Sequence, residues 1–310
     1  MIDLNRHIVF DGGFGTMLQA AGLETGHNPE RLNLSHPDEI RAIHAAYAAA
    51  GSDVITTNTF GASRRKLGED PEAFIVAGVT LAREAAAPYG AMVALDVGPL
   101  GVLMEPFGEL TFDEAYDAFA EIVAIGARAG VDLILIETMS DLLETKAALL
   151  AAKEHTDLPV FVTMTFGEDG KTFIGVDPVA AAVTLTSLGA DAIGVNCSLG
   201  PDKLVPVVET LLSSTHLPIM VQPNAGIPRL VDGKTVFDVD AAEFACWAKC
   251  FAEMGVAILG GCCGTTPDHI AALRKVADGH VLLARERKEV CRLCGWQGSV
   301  VCDIDDIRTV

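Results

Sequence analysis

The chain has 310 residues, half of them hydrophobic and only 21% charged, which excludes a disordered or collagen-like protein. A formal net charge of -20 disfavours binding to nucleic acid or to an anionic membrane surface. The sequence has neither an apolar run long enough to span a membrane nor a signal peptide. Its eight cysteines then favour a reducing compartment, and we predict a cytoplasmic protein.

Short apolar runs recur along the chain, and segments with helical spacing lie between them. The predicted strands are 7–11, 53–57, 92–97, 133–137, 160–164, 192–196, 219–222 and 257–259. The predicted helices include 37–50, 113–129, 142–154, 240–253 and 267–277. Each strand run is continuously apolar, which is typical of strands that are buried on both faces.

The number and spacing of these runs favour a closed barrel over an open doubly wound sheet. Successive runs start roughly 27 to 46 residues apart, the size of a βα unit. Polar residues follow the first run as well as the last one, and only a closed barrel brings those strand ends to one rim. We therefore predict a single-domain α/β protein with a (β/α)8 TIM barrel over residues 1–280 and a short C-terminal tail over 281–310.

Three cysteines follow predicted strands. Cys197 comes after the sixth run, and the adjacent Cys262 and Cys263 come after the eighth. Isolated cysteines are most often small buried hydrophobic residues, but a glycine-flanked turn could bring these three thiols to one point. Three protein ligands with an open fourth position are typical of a catalytic zinc, and soft thiolates select zinc over magnesium or calcium.

The ligand type also indicates the chemistry. Zinc bound by three thiolates is a weak Lewis acid towards water, but it would bind a substrate thiol as the thiolate by lowering its pKa. A thiolate that keeps its electron density is suited to attack on an alkyl carbon. The three cysteines therefore predict transfer of an alkyl group to a thiol. Two further cysteines, Cys246 and Cys250, share a face of a predicted helix and are interpreted as core packing.

Six sequence motifs resemble those of the homocysteine S-methyltransferase family. They are DGGFGTML (11–18), SDVITTNTFGA (52–62), IETMSD (136–141), GVNCSLGP (194–201), QPNAGIP (222–228) and GGCCGTTPDHI (260–270). The resemblance extends from about residue 7 to about residue 280, and it is strongest to the N-terminal homocysteine-binding module of cobalamin-dependent methionine synthases. It implies a barrel, zinc on Cys197, Cys262 and Cys263, and homocysteine as the methyl acceptor.

The resemblance gives roles to other residues at the predicted rim. Glu137 is expected to bind the α-ammonium of homocysteine, and Asp11 could share that task. The backbone N–H groups of the Gly12–Gly13 turn could hold the α-carboxylate. Thr57, Asn58 and Thr59 could contact the amino acid or have a purely structural role.

Asn224 follows the seventh run, between the two cysteine-bearing strands. Our hypothesis is that its amide oxygen occupies the fourth zinc position until homocysteine displaces it.

The methyl donor is left open by the sequence. The resemblance favours methylcobalamin on a separate corrinoid protein, and whether the chain acts alone or as one subunit of a split methionine synthase is left open. The alternatives are a small donor such as S-methylmethionine or betaine, and a non-catalytic module that binds homocysteine or zinc. The oligomeric state and the role of the tail cysteines, Cys291, Cys294 and Cys302, are also left open.

Overall fold

The computed structural model describes residues 5–22, 28–231, 234–284, 292–295 and 298–301. Its strands are β1 (Ile8–Val9), β2 (Val54–Thr56), β3 (Met92–Val97), β4 (Leu133–Met139), β5 (Val160–Met164), β6 (Ala192–Asn196), β7 (Ile219–Gln222), β8 (Arg229–Val231), β9 (Lys234–Val236), β10 (Ile258–Leu259), β11 (Arg292–Gly295) and β12 (Gly298–Val301). Its helices are α1 (Phe14–Ala20), α2 (Leu32–Ser35), α3 (Pro37–Ala49), α4 (Arg64–Leu67), α5 (Glu72–Ala86), α6 (Phe112–Ala129), α7 (Leu142–His155), α8 (Pro178–Ser187), α9 (Pro201–Ser214), α10 (Ala241–Met254) and α11 (Pro267–Gly279). Two 3₁₀ turns, Pro29–Arg31 and Ala87–Tyr89, complete the regular structure of the described residues.

Eight parallel strands form the barrel, in the order β1-β10-β7-β6-β5-β4-β3-β2. A further parallel bridge, between Phe10 next to β1 and Val54 in β2, joins the two ends of this order and closes the ring. The predicted (β/α)8 barrel is thereby confirmed. Strands β8 and β9 are not part of it and form a separate antiparallel hairpin after β7. No helix in the described ranges is both long and apolar enough to cross a bilayer.

The continuous apolar strands are explained by two buried layers. Side chains such as Phe10, Leu135 and Met220 form a compact cluster inside the barrel, where the rings of Phe10 and Phe161 lie 6.1 Å apart. The alternate side chains pack outward against the helices in a second, larger cluster. Because the barrel interior is filled, a ligand site has to lie at the rim.

Helix ends are fixed by local signals in the sequence. Thr111 and Glu114 form a capping box at the start of α6, and Gly130 ends that helix in the left-handed conformation. Asp240 caps α10 by accepting hydrogen bonds from the amides of Ala242 and Glu243. These caps satisfy backbone groups that a helix leaves unpaired at its ends, and the N-caps mark where the rim loops before these two helices end.

The strand predictions agree closely with the structure, with one informative difference. Strand β4 continues to Met139 instead of ending at Glu137, and its pairing with β5 shifts register between Ile136 and Met139. Thr138 sits in this irregularity with a φ of 61°. A bulge of this kind redirects side chains at the end of a strand, and it affects the direction of Glu137.

Candidate active site

Three thiols come together at the C-terminal rim of the barrel. Cys197 directly follows β6, whereas Cys262 and Cys263 lie in the turn after β10, with β7 between the two strands. The three sulfur atoms lie within 4.8 Å of one another, and Cys197 Sγ is 4.0 Å from Cys263 Sγ. All three cysteines are free and partly buried. The convergence expected from the sequence is therefore present.

The backbone around Cys197 adopts an unusual conformation to achieve this. Cys197 and Ser198 have φ values of 57° and 58°, in the left-handed region that side chains other than glycine rarely occupy. The Cys197 amide donates to the carbonyl of Gln222 on β7 at 3.0 Å, and the Cys262 amide donates to Pro223 at 2.9 Å. Such strained residues cluster at functional sites, and here the strain turns the Cys197 thiol towards the other two.

The electrostatics of the thiols favour a bound cation. Hydrogen bonds from the Cys262 and Cys263 thiols lower the pKa of Cys197. The contact with the Cys197 sulfur in turn raises the pKa of Cys262 and of Cys263. The described residues alone therefore stabilise one thiolate and oppose the next two, so full ionisation of the cluster needs added positive charge.

The geometry of the sulfur triangle fits zinc. With Zn–S bonds of about 2.3 Å, two sulfurs of a tetrahedral site lie roughly 3.8 Å apart, close to the 4.0 Å between Cys197 and Cys263. The amide oxygen of Asn224 is buried and has no hydrogen-bond partner within the described part of the chain. The Asn224 side chain also hydrogen-bonds to the Cys197 sulfur and helps to lower its pKa. The donor set present is therefore one that could hold a metal ion.

A cavity of about 230 Å³ opens beside the thiols. Its lining includes the predicted residues Asp11, Gly12, Gly13, Thr57, Asn58, Glu137, Cys197, Cys262 and Cys263. Asn224 and Thr59 are outside this lining. The described residues of the lining include no lysine, arginine or histidine, but they include three carboxyl groups, those of Asp11, Glu137 and Asp96.

Asp11 is a buried carboxyl group in this cavity, and Glu137 is a partly buried one. Burial raises the pKa of Asp11 to about 7, although its oxygens accept hydrogen bonds from the amide and hydroxyl of Thr56 at 2.8 to 3.0 Å. Burial, together with the nearby Cys197 sulfur, raises the pKa of Glu137 to about 8. A cationic group entering the cavity would stabilise the ionised form of both.

The Gly12–Gly13 turn is pressed against the cysteine loop. A Cβ atom at Gly13 would lie 2.6 Å from the Cys262 carbonyl oxygen, and one at Gly12 would lie 2.5 Å from Thr265 Oγ1. The Gly13 amide donates to Thr265 Oγ1 at 3.0 Å, and the Tyr47 hydroxyl donates to the Gly13 carbonyl at 3.1 Å. The absence of side chains here is what allows the turn and the cysteine loop to approach each other.

The polar residues after β2 make hydrogen bonds within the protein. The Thr57 hydroxyl contacts the Thr59 hydroxyl at 2.7 Å and accepts from the Asp96 amide at 3.0 Å. The Asn58 amide group donates to Pro29 O at 3.0 Å and to Asn33 Oδ1 at 2.9 Å. Thr57 and Asn58 nevertheless line the cavity, so both of the roles left open for them stay compatible with their positions.

Asn196 is an important residue that the sequence reasoning missed. Its Oδ1 accepts from the Thr138 amide at 2.9 Å and from the Thr163 hydroxyl at 2.8 Å. Its Nδ2 donates to Thr138 Oγ1 at 2.8 Å and to Glu137 Oε2 at 3.3 Å. Asn196 thus ties the bulge of β4 to β5 and β6. Its place next to Cys197, as a polar residue ending an apolar run, was an available signal.

The remaining cysteines are those of α10 and of the tail. The interpretation of Cys246 as core packing is wrong, because Cys246 is exposed on α10, while Cys250 is partly buried and its thiol contacts the Met254 sulfur at 4.0 Å. The helix is rotated so that Phe244, Ala248 and Phe251 face the core instead. Of the tail cysteines, Cys291 and Cys302 lie outside the described residues, and Cys294 lies in β11.

The sequence comparison identifies the family. Residues 8–277 match the family described as homocysteine S-methyltransferase. The chain belongs to the homocysteine S-methyltransferase family.

Relatives of this homocysteine S-methyltransferase family member include two curated proteins named methionine synthase. The protein from Mycobacterium leprae is 35% identical over 304 residues, 89% of this chain, and the protein from Mycobacterium tuberculosis is 35% identical over 92% of this chain. The chain spans about a quarter of the length of each.

Solved structures support the same fold. The metallated form of the Escherichia coli homocysteine methyltransferase MmuM matches with a TM-score of 0.76 and 23% identity, covering 87% of this chain and 96% of that one. Its oxidised form gives the same TM-score and identity, covering 87% of this chain and 95% of that one. At this identity the likeness concerns the barrel and not the details of the site.

Proposed function

We propose that this protein methylates the sulfur of homocysteine to give methionine, with zinc held by Cys197, Cys262 and Cys263. The observation that carries the proposal is the set of three thiols within 4.8 Å at the edge of a cavity whose described lining includes carboxyl groups but no basic side chain. This combination suits a ligand with a thiol at one end and an ammonium group at the other. Membership of the homocysteine S-methyltransferase family supports homocysteine as that ligand.

The amino-acid part of homocysteine is proposed to bind away from the sulfurs. Glu137 receives the α-ammonium and Asp11 assists, since both are carboxyl groups with raised pKa values whose ionised forms a cation would stabilise. The α-carboxylate faces the Gly12–Gly13 turn. The Gly13 amide already donates to Thr265, so we assign the carboxylate to the Gly12 side of the turn. Thr57 and Asn58 form the wall beside it.

Zinc, when bound, would lower the pKa of the substrate thiol and hold the sulfur as a thiolate. Asn224 is proposed to turn its unpartnered Oδ1 towards the metal when no substrate is present. X-ray absorption on substrate-free protein tests this: an Asn224→Ala variant should lose a first-shell oxygen or nitrogen contribution. An unchanged first shell would contradict it.

The chain's own residues orient the substrate for the reaction. With the amino-acid part held by Glu137 and Gly12, the sulfur lies at the rim, where a donor can approach from solvent. The S–C bond forms as the bond between the methyl group and the donor breaks, and the donor leaves with that electron pair. Because the substrate thiol would release its proton to solvent on binding zinc, before this step, no general base is needed, and positioning supplies much of the rate gain.

We propose that the donor is methylcobalamin on a separate corrinoid protein. The sequence resemblance to methionine synthases, at 35% identity, supports this choice over S-methylmethionine or betaine. Location in the cytoplasm stays a prediction.

Turnover assays with a panel of donors test the function. The zinc-loaded full chain is incubated with homocysteine and with methylcobalamin, with and without a corrinoid protein, or with S-methylmethionine or betaine. We expect methionine from the corrinoid donor, loss of activity in Cys263→Ser, and full activity in Cys246→Ser, whose sulfur is exposed on α10. Methionine from a small onium donor only would overturn the choice of donor. Homocysteine binding without turnover of any donor would favour a binding module.

A further inference from the structure

A third carboxyl group in the cavity, that of Asp96, has no role in the function proposed above. Asp96 lies near the C-terminal end of β3, lines the cavity and is only 8% exposed. Its neighbour on one side is β4, which carries Glu137. On the other side is β2, followed by Thr57. Asp96 therefore lies on the cavity wall beside the place proposed for the amino-acid part of the substrate.

The backbone of Asp96 is fully hydrogen-bonded, whereas its carboxyl group is not. The Asp96 amide donates to Thr57 Oγ1 at 3.0 Å, and its carbonyl accepts from Thr59 Oγ1 at 2.8 Å. Asp96 Oδ1 is buried and has no hydrogen-bond partner among the described residues. A buried carboxyl oxygen without a donor is costly, so a donor from a ligand would be favourable at this position.

The negatively charged groups near Asp96 also favour a cationic ligand. Burial and the charges of Glu137, Asp11 and Glu30 raise the pKa of Asp96, and Lys66 opposes them only in part. Lys66 is outside the cavity lining, and its Nζ lies 5.2 Å from the centroid of the Phe60 ring. Among the residues that the structure describes, the cavity lining holds no basic side chain, and we propose the ammonium group of the substrate as the compensating charge.

The other two carboxyl groups already accept hydrogen bonds from the protein. Asp11 accepts from the amide and hydroxyl of Thr56, and Glu137 accepts from Asn196 Nδ2 at 3.3 Å. An ammonium group has three N–H donors, which one carboxylate cannot satisfy with good geometry. Asp96 Oδ1 and Gln222 Oε1 are the buried acceptors of the described cavity lining that have no protein donor, and of the two only Asp96 can carry a negative charge.

We propose that Asp96 is a specificity-determining residue that accepts a hydrogen bond from the α-ammonium of the substrate, together with Glu137. Asp96 thereby selects thiols that carry an α-amino group over thiols of the same length that lack it. This inference rests on the proposed function, because it takes homocysteine as the substrate.

The test compares two ligands that differ only in the amine. Homocysteine and 4-mercaptobutanoate share the thiol, the chain length and the carboxylate, and their binding to zinc-loaded protein is measured by calorimetry without any methyl donor. In Asp96→Asn we expect homocysteine to bind roughly 10- to 100-fold more weakly, the effect of losing a hydrogen bond to a charged group. The affinity for 4-mercaptobutanoate should stay within about twofold.

Controls separate a specific role from a structural one. Asp117 is exposed on α6, so Asp117→Asn should bind both ligands as the unchanged protein does. Zinc content and melting temperature are compared for each variant, and Asp96→Glu should recover part of the preference for homocysteine if it folds. Asp96→Asn is nearly isosteric and removes a buried acid, so it should fold.

The outcomes are distinct. Equal weakening of both ligands in Asp96→Asn, or no weakening of either, would overturn the role of Asp96 while leaving the proposed function intact. Failure of the unchanged zinc-loaded protein to bind homocysteine would overturn both. Selective loss of homocysteine binding supports the inference.

Discussion

Replacement of Asn196 by alanine is expected to destabilise the protein and weaken its binding of homocysteine. The Asn196 side chain is fully buried and makes three hydrogen bonds of 2.8 to 2.9 Å to Thr138 and Thr163. At about 1 kcal/mol for each bond, Asn196→Ala should lower the free energy of unfolding by about 3 kcal/mol. For a domain of this size that corresponds to a fall in Tm of roughly 6 °C.

Thr163→Val is the matched control, because it removes only one of these hydrogen bonds and keeps the shape of the side chain. It should cost about 1 kcal/mol. Thermal unfolding of both variants is measured at one pH in reducing buffer with equal zinc loading. Homocysteine affinity should fall in Asn196→Ala, because the bulge that carries Glu137 loses its anchor, and should change little in Thr163→Val. Equal Tm values for the two variants, or unchanged homocysteine affinity in Asn196→Ala, would refute the reasoning.

Two further predictions use other parts of the structure. Burial raises the pKa of Glu144 to about 7, although its carboxylate accepts a hydrogen bond from the Leu100 amide at 2.7 Å. The folded protein therefore binds the Glu144 proton more tightly than the unfolded chain does. This stabilises the fold fully below about pH 4.5, and the stabilisation is lost as the pH rises to about 7. Glu144→Gln should flatten that fall in Tm between pH 5 and pH 8, and parallel Tm profiles would contradict the assignment. Gly13→Ala should weaken zinc binding at least about tenfold in a chelator competition, because the added Cβ would lie 2.6 Å from the Cys262 carbonyl oxygen. Gly15→Ala is the control, since a Cβ at Gly15 meets nothing within 4 Å. Equal zinc affinity in Gly13→Ala and Gly15→Ala would show that the close approach is unimportant.

Much of the barrel could be predicted because its signal is local. A continuous apolar run followed by a helical segment identifies each βα unit, and the polar residues that end the runs mark the rim. Cys197 and Glu137 were predicted to lie at the rim from this pattern alone. The same pattern was present at Asp96 and Asn196, in the predicted strands 92–97 and 192–196, but neither residue was predicted to have a role at the rim. Whether a polar residue at the end of a run faces the cavity depends on register, which the sequence does not specify.

Other features depend on tertiary structure. The extension of β4 past Glu137 requires a left-handed Thr138, which is held by Asn196, a residue distant in the chain. The exposure of Cys246 depends on how α10 is rotated about its axis, and spacing alone fixes which residues share a face but not which face is buried. The short hairpin β8–β9 carries too few residues to show a strand pattern.

The central claim is that three protein thiolates and the substrate sulfur share one metal ion. X-ray absorption at the zinc edge of reduced, zinc-loaded protein tests it most directly, with and without homocysteine. We predict three sulfur neighbours at about 2.3 Å in the free protein and a fourth when homocysteine is added. A sulfur count that does not change on addition of homocysteine, or protein that retains no zinc, would contradict the claim.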